Sequence, residues 1–588
     1  MMCRPPSPVH DPGDSVAAKS MTKRQRCAAR QEHATDRAPA GVGRRTGNRT
    51  EHATSSLEDE GSRREARKIP GRLTATLAIG AALLFSGCAV GPEYARPPVK
   101  LEAEWSARDS AGFVADSNAD SAWWKVFGDP TLDQLVEMAY RQNLPLQIAG
   151  VRIMEARAQL GIAVGNQYPQ VQAILASATG VQLSKHAANS VLADHNYWDY
   201  QAGFDALWEI DFWRKFHRDV RAASESYLAT VADYDEALVS LTAEVARTYA
   251  AVRTFEVLLD EANQNAALQA EGLRIADARF RHGATSELDV AQARTLLADT
   301  RSTIPQLENG LRQAQNALCT LLAQPTGSLD AMLQGGKGIP APPPQAGLTV
   351  PAEMLRRRPD IRSAELNAAA QSERIGVAKA DLYPSFSLFG SIGTQTSSGG
   401  GALSGHSKFS NLFGAGSIFY AFGPRLIWPI FNYGRITNNV RVQDARFQQL
   451  LLNYQSTVIR AAQEVEDGLT GYLKFQEATT YSQSAVDGAQ RAVDLAFIQY
   501  REGAVDFQRV LDAQRSLLAE QNSLAQNRSS VATNLISLYK ALGGGWQIRD
   551  GQPFVPDSIR VQMQQRTNWG NYFSKPAKTS NGSTENPR

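Results

Sequence analysis

The chain has 588 residues, with 61 Lys and Arg against 59 Asp and Glu and a formal net charge of +2. That balance leaves no electrostatic footprint for nucleic acid, and the basic excess sits largely in the N-terminal leader. Of four cysteines, Cys3 and Cys27 lie in that leader, so no disulfide framework holds the remainder together.

Residues 1–70 are rich in Arg, Ser, Gly and Pro and poor in large apolar side chains, a composition that cannot bury a core and reads as disordered. Arg63, Arg64, Arg67, Lys68 and Arg72 then precede an apolar run over 73–85 that ends at Ser86-Gly87-Cys88. A basic flank, about a dozen apolar residues and small residues at the cut describe a secretory signal, too short to span a bilayer. The stretch before it is either a genuine long leader or the product of an upstream start codon. Leu84-Phe85-Ser86-Gly87-Cys88 resembles the bacterial lipobox, with Phe85 where leucine is usual. The resemblance implies cleavage before Cys88 and acylation of that cysteine, since only a thiol forms the thioether. Ala89 follows in place of the aspartate that favours inner-membrane retention, which points to the outer membrane.

Residues 89–120 read as an extended linker. Asp129-Pro130 opens a helix, with Asp129 as N-cap and Pro130 at the first helical position, and Leu132, Leu135 and Met138 on one face. Helix continues over 146–164. Tyr168-Pro169 ends it and starts a strand, because proline cannot continue the helical ladder. Val171, Ala173 and Leu175 alternate with Gln170 and Gln172, and Trp198, Tyr200, Ala202, Phe204 and Ala206 alternate in a second strand before Trp208. Two strands of about ten residues joined by a polar loop form a hairpin long enough, when tilted, to cross a bilayer. Residues 216–281 then hold no proline and an apolar stripe at threes and fours, including Leu238, Leu241, Val245, Tyr249 and Val252. That is roughly 100 Å of helix, with a narrow Ala-rich seam of coiled-coil type. Gly283 marks a reversal, and helix returns over 288–322. A proline-rich segment over 324–350 follows.

The pattern then repeats. Gln159-Leu160-Gly161-Ile162-Ala163 with Tyr168-Pro169 returns as Arg374-Ile375-Gly376-Val377-Ala378 with Tyr383-Pro384, an offset of 215. Trp208-Glu209-Ile210 returns as Trp428-Pro429-Ile430, and Phe280-Arg281-His282-Gly283-Ala284 as Tyr500-Arg501-Glu502-Gly503-Ala504, both at 220. One structural unit has been duplicated. The resulting scheme is leader and signal 1–87, lipidated linker 88–120, first repeat 121–323 with its hairpin near 169–210, linker 324–350, second repeat 351–546 with its hairpin near 384–430, and a C-terminal tail 547–588. Four strands cannot close a membrane barrel, since the smallest have eight, and open edges are forbidden in hydrocarbon. Three chains would supply twelve strands over a helical tube.

The sequence resembles the TolC family of outer-membrane efflux proteins, in its OprM/NodT-type lipoprotein branch. The matching residues, spanning about 88–548, are Cys88, Trp124 with Asp129-Pro130, both Tyr-Pro turns, Trp208-Glu209-Ile210-Asp211, Arg357-Arg358-Pro359-Asp360-Ile361, Leu511-Asp512-Ala513-Gln514-Arg515 and Leu538 through Trp546. The resemblance implies a mixed α and β membrane protein: a homotrimeric twelve-stranded barrel in outer-membrane lipid, continuous with a periplasmic α-helical barrel. It further implies a passive exit duct for small molecules such as drugs, delivered by an inner-membrane RND-type transporter through a periplasmic adaptor. Asp512 and Arg515 match the motif at the closed periplasmic gate. The chain departs from the family at Gln508, where leucine helps seal the tube, and at Arg509, where one branch has a second aspartate. From spacing alone Asp512 and Arg515 form a solvated i, i+3 pair. The tips at Arg281-Gly283 and Arg501-Gly503 are, by the same resemblance, where the adaptor docks; from spacing alone they are structural turns.

No HExxH, GxxxxGK, GxSxG or CxxC motif occurs, and no two of the eight histidines are spaced three or four apart, so neither enzyme chemistry, a cofactor nor a metal site is expected. Trp208 and Trp428 belong either to an aromatic belt or beneath the barrel rim. The alternative to a conduit is a lipid-anchored structural or adhesive coiled-coil envelope protein, which needs no membrane-length amphipathic strands.

Overall fold

The computed structural model describes residues 89–98, 113–114, 121–186, 194–334, 338–342, 346–347, 357–400 and 407–573. The signal segment and Cys88 lie outside them. Helix α1 spans Pro130–Gln142, and the Asp129 carboxylate accepts from the Thr131 and Leu132 N–H groups as expected of an N-cap. Helix α2, Leu144–Gly165, starts two residues before the sequence expectation because Asn143 caps it, accepting from the Leu146 N–H at 2.8 Å. Strands β1 (Val171–Gln182) and β2 (Asn196–Ile210) follow, then α3 (Lys215–Arg281) and α4 (Glu287–Leu321). The second copy supplies α5 (Pro359–Ala380), β3 (Ser385–Ser397), β4 (Ile418–Ile427), α6 (Arg435–Arg501) and α7 (Phe507–Ala541).

The duplication extends to element ends. Helices α2 and α5 are both 22 residues long and offset by 215; α3 and α6 are both 67 and offset by 220; α4 and α7 are both 35 and offset by 220. The four strands form one antiparallel sheet in the order β1-β2-β3-β4, so the two hairpins join through β2 and β3. Ala-rich α3 packs on α4, α5, α2 and α7. Its upper part is more than a coiled-coil seam. Leu238, Val245 and Tyr249 enter a broad core with Trp123, Leu135, Ile153, Leu318 and Tyr539, where Trp123 stacks on Tyr539 with centroids 5.5 Å apart. A second, smaller core near the helix ends joins Ala276, Val290, Val493, Phe497, Val510 and Leu511.

The sheet corrects one reading of alternation. Directly opposed residues share a face. Trp198, Tyr200, Phe204 and Trp208 share theirs with Phe386, Leu388, Ile392, Tyr420, Phe422 and Leu426, which makes one face apolar. Asp199, Gln201, Asp205 and Glu209 share the other with Ser387, Ser391, Gln395 and Arg425. Val171, Ala173 and Leu175, which read from their own strand as an apolar set, lie on this charged face opposite Leu207, Asp205 and Gly203. The cause is one additional residue in the first copy. Val171 pairs with Leu207 while Ser385 pairs with Ile427, so β1 maps on β3 at an offset of 214, although the prolines before them are 215 apart. Gln170 occupies the additional position. Its Oε1 accepts from the Glu209 N–H at 2.7 Å, so the side chain satisfies a backbone group at the sheet base.

Both ends of the described chain seat on duplicated glycines. A Cβ at Gly376 would collide with the Arg218 side chain and the Val90 carbonyl; one at Gly161 would collide with the Tyr572 hydroxyl. The C-terminal segment is thus more than a tail. Helix α8 (Asp557–Arg566) buries Met563, Phe554 and Val555 join the main core, and Arg549 forms a buried ion pair with Asp235, Nη2 to Oδ2 2.8 Å.

Candidate functional site

The sequence-predicted residues fall into three places. At the base of the sheet, Tyr168-Pro169 and Tyr383-Pro384 link helix to strand. The Trp208 indole donates to the Gln167 carbonyl at 3.2 Å, and the Trp428 indole to the Leu382 carbonyl at 3.1 Å. Both acceptors immediately precede a Tyr-Pro turn, so each tryptophan ties its strand end to the turn of its own repeat. Trp213, missed by the sequence reading, stacks on Tyr383 at 4.7 Å and donates to the Pro384 carbonyl at 2.8 Å.

Where the end of α7 lies beside the start of α5, two segments that carry the family resemblance meet. Arg358 is buried; it donates to the Ala541 carbonyl at 2.6 Å and pairs with Asp360 and Glu464, both at 2.8 Å. It therefore closes the C-terminal end of α7 against the start of α5, where a cation also meets the negative end of the helix dipole. The specificity of these motifs is structural.

At the far end of the long helices, both hairpins turn through glycine. Gly283 (φ 74) and Gly503 (φ 77) occupy the left-handed position, with Ala284 N–H donating to the Arg279 carbonyl at 2.8 Å and Ala504 N–H to Gln499 at 2.9 Å. Arg281 pairs with Asp277 at 2.5 Å, and Arg281 and Arg501 are both exposed. Arg279 couples the tips: its guanidinium donates to the Tyr500 carbonyl and lies over the Tyr500 ring, 4.6 Å from the centroid. Its repeat counterpart is Gln499, a difference visible in sequence but without a meaning until the tips are seen to touch.

One turn inward, Asp506 caps α7 by accepting from the Arg509 N–H. Phe507, Val510, Leu511, Gln514 and Leu517 pack inward at helical spacing. Gln508, Arg509, Asp512 and Arg515 are consequently exposed on the opposite side. Asp512 and Arg515 form no ion pair. Asp512 Oδ1 instead accepts from Gln508 Nε2 at 2.8 Å, and Gln508 Oε1 accepts from Gln292 Nε2 at 3.5 Å. Gln292 is the repeat counterpart of Asp512, so corresponding positions of the two copies converge here on one amide-carboxylate chain. Among the described residues no cluster of potential metal ligands occurs, and no helix is long and apolar enough to cross a membrane.

A family model described as outer membrane efflux protein matches residues 135–324 and 350–544, covering both repeats. The chain belongs to the outer membrane efflux protein family. It is 32% identical over 474 residues to the pyoverdine export outer membrane protein OpmQ of Pseudomonas aeruginosa, covering 80% of this chain and 96% of that protein. It is 30% identical over 467 residues to the cation efflux system protein CusC of Escherichia coli, covering 79% and 97%. The solved structure of the outer-membrane channel OprN aligns with a TM-score of 0.73 at 31% identity, over 78% of this chain and all of that one. The expectation of a TolC-type channel is borne out: this efflux protein is an outer-membrane channel-tunnel of a tripartite system, built as a trimer with mixed α and β architecture.

Proposed function

We propose that this efflux protein is a passive, gated exit duct for small toxic compounds, closed at the helix ends by Gln508, Arg509, Asp512 and Arg515. An inner-membrane RND-type transporter supplies the cargo, and a periplasmic adaptor docks around Arg281, Gly283, Arg501 and Gly503. Cys88 carries the acyl chains that hold the mature chain in outer-membrane lipid, since several chains together anchor stably at about 0.8 kcal/mol per buried methylene. The observation that carries the reading is the sheet: one face apolar, the other lined by Asp199, Asp205, Glu209 and Arg425, continuous with two pairs of long helices. An apolar face suits lipid and a polar face suits an aqueous lumen, which an adhesive coiled coil does not need. Threefold symmetry turns each exposed residue near the tips into a ring, so Asp512 and Arg509 set the field at the aperture. Cargo choice is assigned to the pump rather than the duct, since this chain is similar to a pyoverdine export protein and to a cation efflux protein at 32% and 30% identity.

The test is conductance in planar lipid bilayers. The wild-type protein is expected to open rarely and to small levels, and Asp512→Ala to raise mean conductance several-fold. Absence of pores in both proteins contradicts the duct; equal conductance in both contradicts the gate.

A further inference from the structure

Two segments flank the repeats and reach matching places on them. After Arg549, which pairs with Asp235, the C-terminal segment follows α2 toward the sheet. A Cβ on Gly150 would strike the Phe554 carbonyl, and one on Gly161 the Tyr572 hydroxyl. Between those two contacts the segment climbs about 16 Å along the helix. Gly161 is four residues before the end of α2 at Gly165, just beneath the Tyr168-Pro169 turn that starts β1. Arg157 grips the segment there, donating to the Tyr572 carbonyl with its guanidinium over the Tyr572 ring.

The segment after Cys88 does the same on the other copy. Gly91 packs on Gly376, the counterpart of Gly161 at the offset of 215, and Arg218 donates to the Pro92 carbonyl at 3.1 Å. Equivalent glycines stand at one height below the sheet, so Gly91 and Tyr572 do as well. Cys88 precedes Gly91 by three residues. An acylated Cys88 therefore places the periplasmic lipid surface within about 10 Å of Gly376, the span of three extended residues. It also places Gly91 on the outside of the duct, and the repeat gives Tyr572 the same side. Lys575 follows Tyr572 by three residues, the same reach that Cys88 has from Gly91.

The residues delivered to this height suit a lipid surface. Trp569 and Phe573 are half-buried, with ring centroids 5.5 Å apart. From Arg566 through Lys578 the sequence holds Arg566, Lys575 and Lys578 and no acidic residue. Tryptophan and tyrosine rings concentrate at headgroup level, and basic side chains beside them are attracted by anionic headgroups.

We propose that the segment 569–578 is a second membrane contact, with Trp569 and Phe573 at the headgroup level of the periplasmic leaflet and Lys575 and Lys578 binding the phosphates of anionic phospholipids. This rests on the lipid-anchored duct proposed above and adds a site on the other copy of the repeat. Three chains then alternate an acyl anchor with a phospholipid site around the duct.

Spin-label accessibility in proteoliposomes of the full chain is the test. Cys319 is buried and Cys88 acylated, so a nitroxide at Ser574→Cys is site-specific. The relaxing agent is nickel chelated on lipid headgroups, in vesicles of phosphatidylcholine with or without phosphatidylglycerol. Relaxation is expected to exceed several-fold that of a label at the far helix tip, Glu502→Cys, and to be stronger with phosphatidylglycerol. Lys575→Glu with Lys578→Glu is expected to lower it several-fold. Relaxation no greater than at the tip overturns the membrane contact, including the case in which the segment packs on a second copy of the chain. Equal relaxation in the two lipids, or no change on charge reversal, overturns the phosphate site. A label at Val90→Cys, beside the acyl anchor, separates the failures. Loss of lipid contact at Val90→Cys as well contradicts the anchor and with it the height assigned to Tyr572; loss at Ser574→Cys alone leaves the anchor standing and overturns this proposal.

Discussion

Arg218 and Glu373 show how much one pair of residues controls here. Both are 3% exposed and bonded at 2.7 Å; Arg221 adds a second contact to Glu373 at 2.8 Å, and Arg218 also donates to the Pro92 carbonyl at 3.1 Å. The pair fastens the segment after the proposed acylation site to the base of the sheet. Removing one partner leaves a buried charge unpaired, which costs about 3–5 kcal/mol. Glu373→Ala is therefore predicted to lower the denaturation midpoint and to expose residues near Pro92 to protease; retention of both wild-type values would show the pair to be dispensable. None of this was legible in sequence, because Arg218 and Glu373 are 155 residues apart and neither stands in a motif. Gln508 was legible only as a departure from the family. Its bond to Asp512 gives the departure a physical content: an amide orients the carboxylate at the proposed aperture, where the family resemblance implies a leucine. Gln508→Leu is predicted to reduce bilayer conductance below wild type, and an increase would show that the Gln508–Asp512 bond closes the aperture more tightly than an apolar plug.

Among elements, the long helix α3 carries a polar seam against α7. Thr254 bonds Ser529 at 2.9 Å, Asn265 bonds Gln521 at 2.6 Å, and Gln514 reaches the Leu268 carbonyl at 3.5 Å. Glu261 lies in this seam, and burial pushes its carboxyl up to about 7, opposed by Arg528 and assisted by Asp260. A carboxyl raised in the folded state favours the protonated form, so folding is stabilised at low pH relative to high. That contribution declines as pH rises from the usual carboxylate range through about 7. Glu261→Gln is predicted to flatten the dependence of thermal stability on pH over this window and to stabilise the neutral-pH protein. An unaltered pH profile would contradict the assignment. Element positions were readable because period and punctuation are local: Asp129-Pro130, the Tyr-Pro pairs and the two glycine turns define ends without tertiary information. The facing of β1 was not readable. Val171, Ala173 and Leu175 alternate correctly, but a strand's face is fixed by its partner, and Gln170 shifts that pairing by one residue.

For the whole molecule, duplication is the organising fact. Two copies build one sheet whose edges remain open, and two pairs of 67- and 35-residue helices whose tips Arg279 couples. The sequence showed the repeat, the family and the unequal residues at positions such as Gln292 and Asp512, while what the inequality does at Gln170, Trp213, Arg279 and Gln292 needed coordinates, since each acts through a neighbour distant in the chain. Four strands with one apolar face are incomplete as a membrane structure, and threefold association is the central claim. Native mass spectrometry of the detergent-extracted protein tests it directly. The account predicts a dominant species of three chains, each lacking the segment before Cys88 and carrying the added mass of its acyl groups. A dominant monomer, stable through mild extraction, would contradict it.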